Sequence, residues 1–363
     1  MITLSNVTKR FEDSDVAVND LSLEIPEGET VVLVGPSGCG KTTTMKMINR
    51  LVEPTSGRIV VAGRDIMQQD PVELRRGIGY VIQSIGLMPH RTVAANISTV
   101  PQLMGWDEER VRKRVRELME MLSLGEELLS RYPSELSGGQ RQRVGVARAL
   151  AVDPPVMLMD EPFGAVDPIT RGHLQEQFIE IQKTLRKTIV FVTHDIDEAI
   201  KMADRIAILN KGAKVEQYAP PEEILRDPAS GFVEQFVGSE RELKRLTLVT
   251  VSDIDVEPGP VVPPTASPDD ARRAMESSGH EWVSVVDNGT LLGWVGRDEL
   301  DGARTMSELN PRPFSAYVTA DSTLRQALDS IVTSRTGVAV VVDKANRYEG
   351  VLTMERISEE IVS

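Results

Sequence analysis

The spacing of apolar residues predicts an α/β chain that changes character near residue 238. Ile2–Val7, Ala17–Ile25 and Glu29–Val34 alternate or run apolar between turn residues, predicting three strands, with Gly28 as the turn before the third. Ser56–Val61 and Gly77–Ile82 predict two more. Val156–Met159 and Thr188–Thr193 are unbroken apolar runs, the mark of strands buried on both faces. Helical periods cover Thr43–Leu51, Glu108–Leu124 and Arg141–Ala151. In the second of these, Val111, Val115, Leu118, Met119 and Leu122 share one face. The charges of EERVRKRVRE fall opposite and read as a solvated stripe. Beyond Gly238, Val256–Pro268 is rich in Pro and Gly. Two related units follow, Ser267–Leu300 and Ser322–Ile357, each reading helix, strand, turn, strand, helix. Asp287 and Asp343 take the same place before the hairpin turn.

Composition narrows the function classes. A length of 363 residues suggests two or three domains. A formal net charge of -14 disfavours nucleic acid as a partner, because counterion release needs clustered Lys and Arg. Cys39 is the only cysteine, so no internal disulfide forms, as expected of a reducing cytosol. No basic-then-apolar leader opens the sequence, and no apolar run reaches the roughly 20 residues needed to cross a bilayer. A soluble chain that docks on a membrane protein is the expectation.

The strongest chemical signal is Gly35-Pro36-Ser37-Gly38-Cys39-Gly40-Lys41-Thr42-Thr43, set between the strand TVVLV and a helix. This is a P-loop in its strand–loop–helix context. Densely anionic triphosphate needs many donors at short range. Glycines let backbone N–H groups curl round it, and the helix adds the positive end of its dipole. Lys41 supplies a cation for the β- and γ-phosphates, and Thr42 a hydroxyl for Mg²⁺. Phe11, beside Lys9 and Arg10, is a candidate to stack on a purine.

Further motifs say how the nucleotide is used. Asp160 and Glu161 end a buried strand, on the edge where the P-loop also lies. Asp160 is placed to hold Mg²⁺, and Glu161 to orient and deprotonate the attacking water. His194, at the tip of another strand, is placed to bond the γ-phosphate. Gln83, at the end of the strand in YVIQS, offers an amide oxygen near metal or water. Ser137-Gly138-Gly139-Gln140 precedes a helix as a second anion-ready N-terminus, suited to a nucleotide held by another copy of the chain. Asp167, in a Gly164–Asp167 loop, is a candidate contact to that copy. The apolar Ile85–Thr92 loop suggests a partner surface, with His90 as an ordinary loop residue.

In this order, GPSGCGKT, Gln83, LSGGQ at Leu136–Gln140, VMLMDEP, GAVD and VTHD resemble the nucleotide-binding subunit of an ATP-binding-cassette (ABC) transporter, over Met1–Gly238. Val166 departs mildly from the usual GALD, and Phe11 stands where a tyrosine is more usual. The resemblance implies a P-loop NTPase with a RecA-like core, a helical subdomain and an antiparallel β-subdomain. It also implies a head-to-tail homodimer with ATP and Mg²⁺ between copies. Phe11 and residues 35–43 would bind ATP. Ser137, Gly138, Gly139, Gln140 and Asp167 would bind it in trans. Thr42, Gln83 and Asp160 would serve the metal, and Glu161, His194 and Gln83 catalysis. KTTTMKMINRLVEPTSG, IGYVIQSIGLMPHRTV and MDEPFGAVDPITR resemble, more narrowly, the ATPase subunits of quaternary-amine importers for glycine betaine, carnitine, choline or proline. In these, Gln83–Thr92 would receive a membrane permease, with a substrate-binding protein or domain as an indirect partner. The chain would then sit at the cytoplasmic face of the membrane.

The tail resembles a tandem cystathionine-β-synthase (CBS) pair, with residues 239–255 as linker, 256–305 as the first repeat and 306–363 as the second. The nucleoside-binding form of that module ends Gly-x-x-Thr-x-x-Asp. Here Glu299 and Arg356 stand at the acidic position, which disfavours adenine-nucleotide sensing. A cyclic dinucleotide at a dimer cleft and a dimerising appendage without ligand are the alternatives. From Arg241 onward there are 13 basic and 20 acidic residues, which argues against docking on anionic lipid. Two rival functions are a soluble ATP-driven clamp and a ligand sensor with the ATPase as output. Only about a hundred residues separate P-loop and LSGGQ, too few for the coiled-coil insertion of repair ATPases.

Overall fold

In the computed structural model, which describes residues 1–12, 16–82, 86–164 and 166–362, the unbroken apolar runs become the interior of a parallel sheet. The chain divides into two units, Met1–Gly238 and Ser239–Ser363. The strands of the first are β1 (Ile2–Arg10), β2 (Val16–Ile25), β3 (Thr30–Val34), β4 (Ser56–Val61), β5 (Arg64–Asp65), β6 (Ile78–Val81), β7 (Val156–Asp160), β8 (Thr188–Thr193), β9 (Arg205–Asn210) and β10 (Lys214–Ala219). One sheet is antiparallel, in the order β2-β1-β4-β5. The other has the order β10-β9-β3-β8-β7-β6, parallel from β9 to β6, with β10 returning antiparallel. Every residue of β3, β7 and β8 is buried.

The helix Lys41–Ile48 is clamped between the sheets. Met45, Met47 and Ile48 share one core with Ile2, Leu4 and Ile25 from the antiparallel sheet and Leu33, Leu158 and Val190 from the parallel one. Each such side chain contributes about 1.5–3 kcal/mol on burial, so the P-loop stands on a core shared by both sheets. The amphipathic helix runs Glu108–Met121 and buries Val111, Val115, Leu118 and Met119. The helix expected from Arg141 starts earlier, at Gly138, because Ser137 caps it. The sequence reading did not include β9 and β10. β10 is a half-buried edge strand with little alternation to announce it.

The second unit contains β11 (Val261–Val262), β12 (Trp282–Asp287), β13 (Thr290–Gly296), β14 (Tyr317–Val318), β15 (Val338–Val342) and β16 (Tyr348–Thr353). They form two three-stranded sheets of one topology, β11-β12-β13 and β14-β15-β16, each a parallel pair followed by an antiparallel hairpin. Asp287 ends β12 and Asp343 follows β15, at equivalent turns. The repeats are less alike at their ends. The helix expected after β13 is only the single turn Arg297–Glu299, where Glu299 folds back to accept from the Gly296 N–H at 2.9 Å. After β16 a helix, Met354–Val362, forms.

Residues 239–255, expected as linker, are folded into the second repeat. They carry the helix Arg241–Arg245, and Leu246 and Val251 lie in one core with Val318, Leu324, Ile331, Leu352 and Ile357. Their own apolar residues are the reason, since the run of Pro and Gly begins only after Val256. A separate cluster joins the repeats, bringing Trp282 and Leu291 against Phe314, Val338, Val340 and Val351. Among the described residues, no helix is long and apolar enough to cross a membrane.

Candidate active site

Strand order brings the predicted chemistry together. β3, β8 and β7 are neighbours, with Val34 opposite Thr193 and Asp160 opposite Val192. The loop after β3, Glu161 after β7 and His194 after β8 therefore leave one edge of the sheet at one level. That edge holds the carboxyl ends of the parallel strands, where open α/β sheets bind ligands.

The P-loop is shaped by close backbone approaches. Gly40 has φ of 113°, and a Cβ there would meet the Ala17 carbonyl oxygen at 2.5 Å; one on Gly35 would run into the Leu209 carbonyl. The Cys39 carbonyl accepts from the Ala213 N–H at 2.6 Å. Pro36, Ser37 and Gly38 form an exposed rim, Cys39 and Lys41 are buried, and Thr42 and Thr43 are half-buried. Lys41 Nζ donates to the carbonyl oxygens of Gly35 (2.6 Å) and Pro36 (3.0 Å). Phe11 lies just past the Arg10–Val16 pair of the β1–β2 hairpin, and Ala17 of that hairpin abuts Gly40. The ring is 42% exposed, with Lys9 Nζ 5.0 Å from its centre, so a face is available for stacking beside the loop.

Thr42 Oγ1 donates to Asp160 Oδ1 at 3.1 Å. Burial pushes the Asp160 carboxyl up, the Thr42 hydrogen bond opposes this, and the charge of Glu161 adds to it. Tyr80, on β6, is pushed up to about 12 by its own burial and by Asp160. Glu161 turns out of the strand in the left-handed region, at φ of 43°, while its N–H still donates to the Val192 carbonyl at 2.9 Å. Such backbone costs about 1–3 kcal/mol and collects at functional sites. The turn sets Glu161 Oε1 3.1 Å from His194 Nδ1, with the imidazole largely exposed.

Ser137–Gln140 forms a capping box: Ser137 Oγ accepts from the Gln140 N–H at 3.2 Å, and Gln140 Oε1 accepts from the Ser137 N–H at 2.8 Å. Ser137 is exposed, Gly138 half-buried, and Gly139 buried against Thr170. Among the described residues, no hydrogen bond or ion pair joins these four residues to the P-loop of the same chain. Asp167 caps the helix Pro168–Leu185, accepting from the Thr170 N–H at 3.0 Å, and that bond holds its carboxyl below the usual range. Gln83 lies outside the described residues. In the loop that follows, Leu87 and Met88 are half-buried, and Pro89 and His90 exposed.

Three features were not anticipated from sequence. Asn96, fully buried, accepts from the Met88 N–H (2.8 Å) and donates to the carbonyls of Met88, Arg91 and Thr92, fixing the 88–92 loop. Arg148, on the Ser137-capped helix, donates to the Gly86 carbonyl at 2.5 Å, and burial lowers its basicity. Glu198 is buried one turn beyond His194. A carboxylate or amide inside an apolar context is the only signal sequence offers for such residues. In the second unit, Glu299 pairs with Arg312 at 2.9 Å and Arg356 with Glu359 at 2.7 Å, so both are engaged locally.

The fold and this edge define a P-loop nucleoside triphosphatase. Residues 18–164 match the family model "ABC transporter", and residues 251–304 and 307–363 each match "CBS domain". The chain is 46% identical to the osmoprotectant import ATP-binding protein OsmV of Salmonella typhimurium, covering 100% of this chain and 97% of that protein. It is 48% identical to the glycine betaine/carnitine/choline transport ATP-binding protein OpuCA of Bacillus subtilis, covering 97% of this chain and 94% of that one. A solved dimeric bacterial ABC transporter cassette superposes with a TM-score of 0.55 at 38% identity, over 61% of this chain and 99% of the cassette. The chain belongs to the ATP-hydrolysing subunits of ABC transporters, in the branch that carries a tandem CBS module.

Proposed function

We propose that the chain powers uptake of a quaternary amine or related compatible solute (glycine betaine, carnitine, choline or proline) through a membrane permease. The observation that carries this reading is similarity along the whole length, tail included, to ATP-binding subunits named for osmoprotectant, betaine, carnitine and choline transport. Two copies clasp ATP head to tail, at the cytoplasmic face of the membrane. The backbone of residues 35–43 and Lys41 hold the triphosphate, and Phe11 stacks on the base. Ser137, Gly138, Gly139, Gln140 and Asp167 close the site of the other copy. Support comes from the capping box at Ser137–Gln140, with Ser137 exposed, and from the dimeric state of the solved cassette.

The Thr42 hydroxyl and the buried Asp160 carboxylate are hard oxygen donors 3.1 Å apart, the chemistry Mg²⁺ prefers, and Gln83 is assigned to the same metal. When bound, Mg²⁺ would neutralise phosphate charge. Glu161 takes the proton of the attacking water, and His194 holds Glu161 and the γ-phosphate in register. Gln83–Thr92 receives the permease, and the CBS pair regulates.

The test is uptake by the chain assembled with its permease and solute-binding protein in vesicles, with ATP inside and a panel of the four solutes outside. ATP-dependent accumulation of at least one is expected; accumulation of none overturns the solute assignment.

A further inference from the structure

One buried acid beside this chemistry has no role in it so far. Glu198 is 8% exposed and sits in the first turn of the helix Ile196–Met202, which begins directly after the His194–Asp195 turn. An isolated buried carboxylate is costly, so its partners tell why it is retained. Glu198 Oε1 accepts from Gln175 Nε2 at 3.0 Å, and Gln175 is itself 7% exposed. The Glu198 N–H donates to Asp195 Oδ1 at 3.2 Å, and burial pushes the Glu198 carboxyl up, with Thr193, Gln175 and the charge of Arg171 opposing this.

These residues lie on the elements that adjoin the chemistry, β8 before His194 and the helix that Asp167 caps. Thr193 Oγ1 accepts from the Asp195 N–H at 3.1 Å, bridging the backbone on either side of His194 in a Ser/Thr turn. Gln175 and Arg171 share one face of the helix Pro168–Leu185, which Asp167 caps, and Arg171 Nη2 donates to the Val166 carbonyl at 3.2 Å. Gln175 stands about 12 Å along that helix from the cap.

We infer that Glu198 is a positioning residue that ties the His194 turn to the Val166–Asp167 loop of the same chain. This rests on the roles proposed for His194 and Asp167. The position of the Asp167 loop, which meets the other copy, is read through Arg171, Gln175, Glu198 and the Asp195-capped start of its helix at the histidine beside Glu161. Docking of the second copy and alignment of the imidazole are then one event, because the buried hydrogen bonds admit little independent movement.

The experiment measures steady-state ATP hydrolysis by the full chain carrying Glu198→Gln, in the presence and absence of His194→Ala. Glu198→Gln is expected to lower kcat roughly tenfold with KM for ATP within about twofold, since a small misplacement of a catalytic group costs turnover rather than binding. In the His194→Ala background it is expected to have no further effect. Equal loss in both backgrounds, or no loss in either, overturns the inference. If Glu198→Gln lowers the melting temperature, Gln175→Met, which removes the donor to Glu198 at similar length, carries the same comparison. Wild-type turnover by His194→Ala alone would overturn the role of His194 and this inference together; reduced but measurable turnover in His194→Ala with a further, additive loss from Glu198→Gln overturns only the inference.

Discussion

Thr42 Oγ1 donates to Asp160 Oδ1 over 3.1 Å, joining the first turn of the P-loop helix to the end of β7 across 118 positions of sequence. In the proposed role, the two oxygens would form one donor pair for Mg²⁺. Asp160→Asn should lower turnover at saturating ATP and Mg²⁺ by roughly a hundredfold or more, while nucleotide binding in EDTA stays near the wild-type value. Phosphate release and equilibrium binding, each with and without Mg²⁺, check this; equal loss of binding in EDTA would refute it.

The same carboxyl sets a pH dependence. Burial raises both Asp160 and Glu198 above the ordinary carboxylate values. A group with a raised folded pKa binds its proton more tightly folded than unfolded, so stability falls as pH rises from the ordinary carboxylate pKa through the raised one. Without nucleotide, the first unit should lose stability from these two groups as pH climbs from about 4 toward neutrality. Asp160→Asn should flatten part of that fall and raise the melting temperature at neutral pH. Thermal melts over that range provide the measurement, and a steeper fall in the variant would contradict the sign.

Removing the proposed base has a distinct signature. Glu161→Gln keeps the size of the side chain but cannot take a proton, so hydrolysis should fall by roughly 10²–10⁴-fold. With ATP bound and not consumed, the dimer should accumulate, visible as a doubled mass by light scattering. A monomer with ATP, or steady hydrolysis, would count against the assignment.

Two glycines make a matched pair of substitutions. Gly40→Ala forces a side chain against the Ala17 carbonyl at φ of 113° and should cost about 1–3 kcal/mol together with most of the ATP affinity. Gly172 lies in the helix Pro168–Leu185 with open space at its Cβ, so Gly172→Ala should be neutral or stabilise by up to about 1 kcal/mol. Chemical denaturation and ATP titration of both variants distinguish backbone restraint from general sensitivity.

Leu246→Ala tests the reassigned segment. If residues 239–255 only connected two units, the change would be silent. Because Leu246 is buried against the second repeat, a loss of about 2–5 kcal/mol is expected, confined to the unfolding of the second unit. A two-step melt in which only one transition moves would show it.

Most of the catalytic edge was legible because the chemistry needs its residues at fixed points of strand–loop–helix units: Lys41 after β3, Asp160 and Glu161 after β7, His194 after β8. Less legible were residues whose value depends on what lies opposite. Asn96, Arg148 and Glu198 are polar letters in ordinary helices until the fold buries them. Leu246 and Val251 read as spacer because their partners, Val318, Leu324 and Ile357 among them, stand beyond the whole first repeat. Local periodicity does not report contacts across that separation.

The placement of Leu246 and Val251 also bears on how the tail is made. The part of the second repeat synthesised first must wait, uncovered, while the whole first repeat is translated, and only the strands and helices after it complete its core. Such long-range closure is slow and leaves apolar chain exposed to its neighbours in the meantime. A nascent chain halted within the tail would therefore offer a sticky end to the chaperones, whereas one halted at Gly238 would not.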